Sequence, residues 1–443
     1  MDKTRLGLLC LIAGVSISYF GAAALSLPVI NKRIGSDHEC SRRQWCHTIA
    51  STNAAIAGFS TLARPFVYQA AAAEGKSTPF LMEEYYDPRA MSTAPSAGRV
   101  FFPTLTPPFF NRATYRYALG RKSWAFEQLL SFANVTATIR CNVVKLERTG
   151  GLWVHSPQWP TGEFCTLLEE LGAPVEHVVL PCNALEHKAP MKDFLKKYPQ
   201  AQVWVSPGQY GPFGSCGLKK GETNMGYKVD GILSDDPSNP VPPWADEFDM
   251  ATLYVDIPEN AGPVSEAAFC HRPSKTLVAT DAVVYIPSVA PEILGTYFDK
   301  EVVQDPTFWP RSVLQAVFLP LRSDPATGNY PGFIALKEQL VRAPILRAFA
   351  DARAPKEVDE WIAKVAKFDF DRIITSHFAS PIAASPKDFA KAFSYLPNGD
   401  SRDRAALPSI ACQDWDLLEG LNRVIAENKL GAPATYDYSK GCK

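Results

Sequence analysis

Three short apolar runs in this chain each end, within a few residues, on side chains that can bind a metal. Residues 176–188 read EHVVLPCNALEHK, where Val178–Leu180 leads into a loop closed by Glu186 and His187. Residues 275–285 (KTLVATDAVVY) carry Asp281, and residues 371–381 (DRIITSHFASP) carry His377. Each reads as a β-strand with a polar stop at its C-terminal mouth, which is where α/β sheets place their sites. Helical patterns separate the three stops. A fold that brings them together has to return the chain repeatedly to one edge of its sheets.

The intervening segments supply that return. Thr136–Leu146 alternates as a strand, Gly150-Gly151 turns, and Leu152–His155 follows. Thr161 is an N-cap for a helix running to Leu171, which Gly172 and Pro174 stop. Strand Val178–Leu180, helix Met191–Tyr198 and strand Gln202–Val205 continue the alternation, which is the signature of an α/β layer. Residues 209–248 are rich in Gly, Pro, Asp and Ser and read as a loop insertion, either a rim over the site or a surface excursion. Phe269–Tyr285 reads as a hairpin turning at Arg272–Lys275. A helical insertion over 288–368 follows, with helices at Val313–Leu321, Tyr330–Asp351 and Lys356–Phe368, before the last strand Arg372–Thr375. Helices Pro386–Tyr395 and Asp414–Asn428 close a domain spanning 114–430, with a tail over 431–443.

Apolar residues make up 46% and charged residues 21% of the chain, a globular balance that excludes a disordered polymer. The formal charge of −1 excludes a broad electrostatic surface for nucleic acid. The basic-aromatic run Tyr115–Trp124 is too short to reverse that. Neither a P-loop nor a G-x-G-x-x-G after a strand is present, so nucleotide cradling lacks a motif. The ten cysteines include no C-x-x-C, which excludes a zinc ribbon or a thioredoxin-like motif.

The N-terminal residues differ from the rest. Leu6–Ile30 is uncharged and long enough to span a bilayer, follows Lys3 and Arg5, and contains Ala22–Ala24, a small-residue cleavage pattern. Next comes a basic, Ser- and Thr-rich stretch with Arg42-Arg43 ahead of a mild apolar run. The order fits a layered address to a plastid, its lumen or membrane, over residues 1–75. The alternative is a single membrane anchor through Leu6–Ile30 with a disordered linker. Residues 76–113, rich in Pro and aromatics, read as an extended arm.

The segments VVKLERTGGLWVHSPQWPT (143–161), LEHKAPMKDFLKKYPQAQVWVSPGQ (185–209), WADEF (244–248), HRPSKTLVATDAVVYIP (271–287) and RIITSHFASPIAASPKDFAKAFSYL (372–396) carry a family resemblance. Over roughly residues 100–430 the chain resembles a plant, algal and bacterial domain-of-unknown-function family, number 4336, of metallo-β-lactamase-like fold. The resemblance implies an αββα sandwich with a helical insertion and a C-terminal helix. It implies no particular reaction.

Enzymes of that fold share a H-x-H-x-D-H loop, a histidine before the hairpin, an acid after the next strand and a final histidine, and the usual form holds two metals. Carried onto this chain, the resemblance puts Glu186, His187, Asp281 and His377 at the second metal position, a set suited to one Zn, Mn or Fe ion. The first position would fall on Cys182 and Ala184, and no histidine lies in Ala261–Ser265, so the expectation is one metal or none. His271 comes too late to serve, and His177 and Asp256 look structural. His155, where the fold usually delivers a propping aspartate, is a further ligand, an orienting group, a general base, or a buried histidine bonded to backbone.

Two functions follow from this reading. One is a mononuclear metal-dependent hydrolase of undefined substrate, with a metal-bound water as nucleophile and His155 or Asp281 handling the proton. The other is a catalytically silent binding or assembly module of a plastid membrane or lumen. Processing of the address predicts a mature N-terminus near Ala73–Gly75. Mass spectrometry of the native protein checks this, and residues before Ile30 retained in a membrane fraction would favour the anchor.

Overall fold

The computed structural model describes residues 113–132, 135–209, 225–257, 263–296, 298–396, 410–427 and 432–435. The targeting segment over 1–75, nearly all of the arm and most of the tail lie outside these residues. Among the described residues no helix is long and apolar enough to cross a membrane, and Leu6–Ile30 is not one of their segments.

Strand alternation builds two cores on either side of one sheet. That sheet runs in sequence order through β1 (Tyr115–Gly120), β2 (Ser123–Phe132), β3 (Val135–Lys145), β4 (Leu152–His155), β5 (Val175–Leu180), β6 (Gln202–Val205) and β7 (Gly231–Ile232). It is antiparallel from β1 to β4 and parallel from β4 to β7. The first two parallel steps cross over through α1 (Gly162–Glu169) and through α2 (Leu185–Lys188) with α3 (Met191–Lys197). Thr161 caps α1 as its sequence foretells, its side chain accepting from the Phe164 amide at 3.2 Å. On β5, Val178 and Leu180 face the helices and pack with Phe164, Leu168 and Phe194. The intervening Val179 faces the other way, toward Trp153, Trp204, Trp244 and Phe269.

That second core lies between the two sheets. The second begins with β8 (Phe248–Val255), β9 (Val264–His271) and β10 (Thr276–Val278). The chain then leaves it through β11 (Val284–Tyr285), α4 (Lys300–Gln304), α5 (Phe308–Ala316), α6 (Pro331–Leu336), β12 (Leu340–Val341), α7 (Pro344–Leu346), a π-helical turn over Arg347–Asp351 and α8 (Pro355–Val365). It returns through β13 (Arg372–Ile374) and β14 (Ile382–Ala383), giving the order β14-β13-β10-β9-β8. Helix α9 (Pro386–Lys391) and α10 (Asp416–Glu427) follow. Helix α8 closes the outer face, with Trp361 donating to the Ala251 carbonyl of β8 at 3.1 Å and packing on Phe389. The layers are therefore helix, sheet, sheet, helix, the expected αββα order.

Three local expectations need correction. The strand expected from Thr276 to Tyr285 stops at Val278, and Val284–Tyr285 pairs instead with β12 in a separate two-stranded sheet. Asp281 therefore sits on a loop. The helix expected over Tyr330–Asp351 is broken after Leu336, because Glu338 takes a left-handed φ of +57° and Pro344 disfavours helix in the residue before it. The long loop insertion is partly structural, since β7 pairs with β6 and Trp244 is fully buried in the inter-sheet core.

His155 belongs to that core. Its ring lies 5.5 Å from Trp153 and 5.7 Å from Phe269, and no hydrogen-bond partner meets either ring nitrogen among the described residues. Burial, and then the neighbouring His187, push its pKa down to about 3. The histidine is a neutral packing group, so the general-base expectation is corrected: a group sealed from solvent and held neutral by aromatic neighbours does not shuttle protons. The sign of its pH effect follows directly. Between pH 6.5 and about 3 the unfolded chain binds the proton that the folded chain refuses. Stability therefore falls as the pH drops below 6.5, by up to about 1.4 kcal/mol per pH unit from this residue. The expected outcome is a flatter dependence of unfolding free energy on pH in His155→Phe than in the wild type, read by denaturant melts from pH 7 to pH 4. Parallel curves would overturn it.

Candidate metal centre

Each arm of the site is delivered by the end of a different strand. After β5 the chain steps through Pro181–Ala184 into the short helix α2, which carries Glu186 and His187. After β10 it turns out to Asp281, and after β13 it turns to His377. One ligand-capable atom from each of these four residues lies within 4.8 Å of all the others. The Nε2 atoms of His187 and His377 stand 3.3 Å apart. Asp281 places Oδ1 3.2 Å from His377 Nε2 and Oδ2 3.6 Å from His187 Nε2.

These separations can be compared with what an ion requires. At ligand distances of about 2.0–2.1 Å, a tetrahedral ion holds neighbouring ligand atoms about 3.3 Å apart. The His–His and His–Asp edges meet that requirement before any rearrangement. Glu186 is the outer arm, half-buried, with its Oε2 lacking a hydrogen-bond partner among the described residues. The donor set therefore fits a divalent ion.

Both imidazoles are oriented from behind. His377 Nδ1 donates to the Thr138 carbonyl at 2.7 Å, which turns Nε2 toward the cluster. His187 Nδ1 lies 2.5 Å from the Ser156 hydroxyl, with the same consequence. Ser156 adopts a left-handed φ of +54°, as does Phe378 beside His377 at +55°. For residues other than glycine that backbone costs roughly 1–2 kcal/mol, a strain that recurs at functional sites. The prop that the sequence assigned to His155 is thus supplied by its neighbour.

The electrostatics centre on Asp281. Burial would raise its pKa, but hydrogen bonds from His187 and His377 and their charges hold it well below the usual carboxylate range. His377 is correspondingly raised: burial opposes its charge, and Asp281 more than restores it. Each charge of the pair thus favours the other, and a cation would supply the same support to Asp281. Lys188 is buried behind the loop, and burial lowers it to about 7 against the pull of Cys182 and Glu186.

Three further residues escaped the sequence reading. Arg342 follows β12 directly and is buried, with Nε and Nη2 each 2.9 Å from Asp351. Its Nη1 donates to the carbonyls of Asp281 and Ala282 at 3.2 and 3.0 Å, so the helical insertion holds the Asp281 loop by its backbone. Tyr395 donates to Asp351 at 2.5 Å and completes the network. Glu266 lies one residue beyond the stretch searched for a histidine. Together with Cys182 and Asp281 it forms a second group of ligand-type atoms within 4.8 Å of one another. Burial, and then Asp281, raise Glu266 to about 8. Elsewhere, His271 bonds Ser274 and faces Glu247, and His177 is buried beside Glu176, away from both groups.

Among solved structures the chain is similar to a metallo-β-lactamase from Pontibacter korlensis (9% identity, 63% of this chain and 99% of that one, TM-score 0.31). It is also similar to a fragment of putative diflavin flavoprotein A 5 from Nostoc (10%, 64% and 96%, TM-score 0.36). A third is a metallo-β-lactamase from Hirschia baltica (11%, 64% and 97%, TM-score 0.32). No curated protein matches the sequence. The layered sandwich carries its ligand-type side chains at strand ends. A family model described as Domain of unknown function (DUF4336) matches residues 121–310 and 326–395, more than half of the chain, and the protein belongs to that family.

Proposed function

We propose that this protein is a metal-dependent hydrolase whose ion is held by His187, Asp281 and His377, with Glu186 as the fourth, solvent-side arm. The observation that carries the reading is the 3.3 Å separation of the two Nε2 atoms, each fixed from behind by a hydrogen bond at Nδ1. Two imidazoles and one or two carboxylates suit Zn, Mn or Fe. Such an ion supplies a bound water whose pKa is lowered toward neutrality. The chain's own contribution is to present the ligands in one geometry, keep the Ser156 side of His187 dry and leave Glu186 at the mouth. Asp281, held ionised by the two imidazoles and anchored through its backbone by Arg342, would serve as a ligand rather than as a proton acceptor. The substrate bond is an ester, thioester, amide or phosphoester.

A second reading rests on Glu186. If its carboxylate closes the tetrahedron, no position remains for water and the centre is structural, as in closed four-ligand sites. The protein would then be a binding or assembly module. The composition of residues 1–75 supports a plastid setting for either role.

Elemental analysis of the purified full-length chain is expected to find about one equivalent of a transition metal at this centre. His187→Ala and His377→Ala should lose it, while Ser156→Ala should weaken retention by about 10–100-fold. Retention unchanged in both histidine variants would overturn the assignment. A panel of the four bond classes should reveal turnover that stops on chelation and returns with the ion. A metal-replete protein that is silent on every class, with Glu186→Gln lowering metal affinity, favours the closed centre.

A further inference from the structure

We propose that the C-terminal helix α10 sets the ion affinity of the metal centre at a distance, acting through Arg347 and Asp351 on Arg342, which is a positioning residue for Asp281. The proposal rests on the reading of His187, Asp281 and His377 as ligands, and it names the part of the chain that controls them.

The two-stranded sheet aligns the first contact. β11 and β12 pair with Val284 opposite Val341, so Arg342 emerges level with the loop that ends at Val283. Its guanidinium lies 5.4 Å from the centre of the Phe393 ring. A guanidinium is a rigid planar fork of five donors. Here Nε and Nη2 grip the two carboxylate oxygens of Asp351, while Nη1 reaches the carbonyls of Asp281 and Ala282. A rigid fork fixed at one end also fixes what its other end holds. The direction of Asp351 therefore determines where the Asp281 loop rests.

Asp351 closes the π-helical turn Arg347–Asp351, in which the Ala352 amide donates to the Arg347 carbonyl at 3.0 Å. Widened turns of this kind recur at functional sites. The C-terminal part of the chain grips this one at three points. Asn422 of α10 donates from Nδ2 to the Ala348 carbonyl at 3.0 Å. The Arg347 guanidinium lies 3.9 Å from the centre of the Tyr395 ring and 4.7 Å from that of Trp415, the residue just before α10. Beyond the helix, the Thr435 amide and hydroxyl both donate to the Ala352 carbonyl, at 2.7 and 3.0 Å.

Tyr395 joins the two arginines. Its ring stacks on Arg347, and its hydroxyl donates to the Asp351 carboxylate that Arg342 also grips. Arg342, Arg347, Asp351, Tyr395 and Trp415 are all buried, where a displaced charge finds no water to replace its partner. A shift of α10 is therefore passed on rather than absorbed: it moves Arg347 and Tyr395, turns Asp351 and pulls the carbonyls held by Arg342. The two imidazoles stay where Ser156 and the Thr138 carbonyl hold them, so the shift alters their distances to Asp281. An ion is then held more or less tightly with no change in the ligand set. By linkage, a bound ion stabilises the docking of α10 to the same extent.

The test combines zinc affinity, read by chelator competition, with hydrogen exchange of the Asp281–Val283 amides in the metal-free full-length chain. Arg342→Lys keeps the charge and loses the fork. It should lower zinc affinity by about 10–100-fold and speed exchange at those amides. Tyr395→Phe and Arg347→Met should move both readouts the same way by less. Phe164→Leu, in the core between α1 and the first sheet, should lower stability and leave zinc affinity unchanged, which separates positioning from general loosening. Zinc should slow exchange in Asp416–Glu427 of the wild type and not of Arg342→Lys. Affinity and exchange unchanged in Arg342→Lys, whatever its stability, overturn this proposal and leave the hydrolase centre standing. A response in Arg342→Lys with none in Tyr395→Phe or Arg347→Met also overturns it, since α10 would then have no path to the centre. A wild type that binds no zinc or other transition metal sinks the hydrolase reading and, with it, control of an ion by α10.

Discussion

The carboxylate of Asp281 is the point on which the rest of the centre depends. It reaches His187 with one oxygen and His377 with the other, and Glu266 and Cys182 lie close by. A buried acid with two imidazoles is stable only if its position is held firmly, because a small displacement leaves a charge without a partner at low dielectric. Arg342 provides that hold through the Asp281 and Ala282 carbonyls, and Asp351 neutralises Arg342 in turn. The helical insertion is thus tied to the Asp281 backbone, and Tyr395, which never touches Asp281, bears on its position through Asp351.

Orientation of the two imidazoles is the complementary constraint. An imidazole can rotate, and the hydrogen bond at its far nitrogen decides which nitrogen faces inward. Ser156 and the Thr138 carbonyl occupy those far positions, one at the end of β4 and the other within β3. The left-handed backbone at Ser156 and Phe378 stores strain next to each imidazole, and the flanking strand pairing maintains it. The first sheet therefore provides the backing for ligands of both sheets, and the sandwich cannot slide without disturbing the centre.

Much of this was readable from the chain. Val178–Leu180, Gln202–Val205 and the Thr161 cap appear where their patterns indicate, because alternation and capping are local properties of a few consecutive residues. The side chains Glu186, His187, Asp281 and His377 were singled out by their place after apolar runs, and the fold does bring them together. His155 was left open between ligand, orienting group, base and buried histidine, for an equally physical reason. A polar residue at the end of an apolar run looks exposed, yet period-two alternation turns it inward, against Trp153 and Phe269, and presents Ser156 to the site.

The sequence by itself determined the α/β alternation and the set of strand-end side chains, since these rest on short-range periodicity, while the family and the αββα layering were implied by the resemblance its long motifs carry. Tertiary structure alone decided that Asp281 leaves its strand at Val278 and that the insertion returns Arg342 to hold it. It alone also decided that Glu266 and Cys182, distant in sequence, share a buried face with Asp281. Those outcomes depend on which strands pair across the two sheets, and pairing over long separations leaves no local trace in the chain.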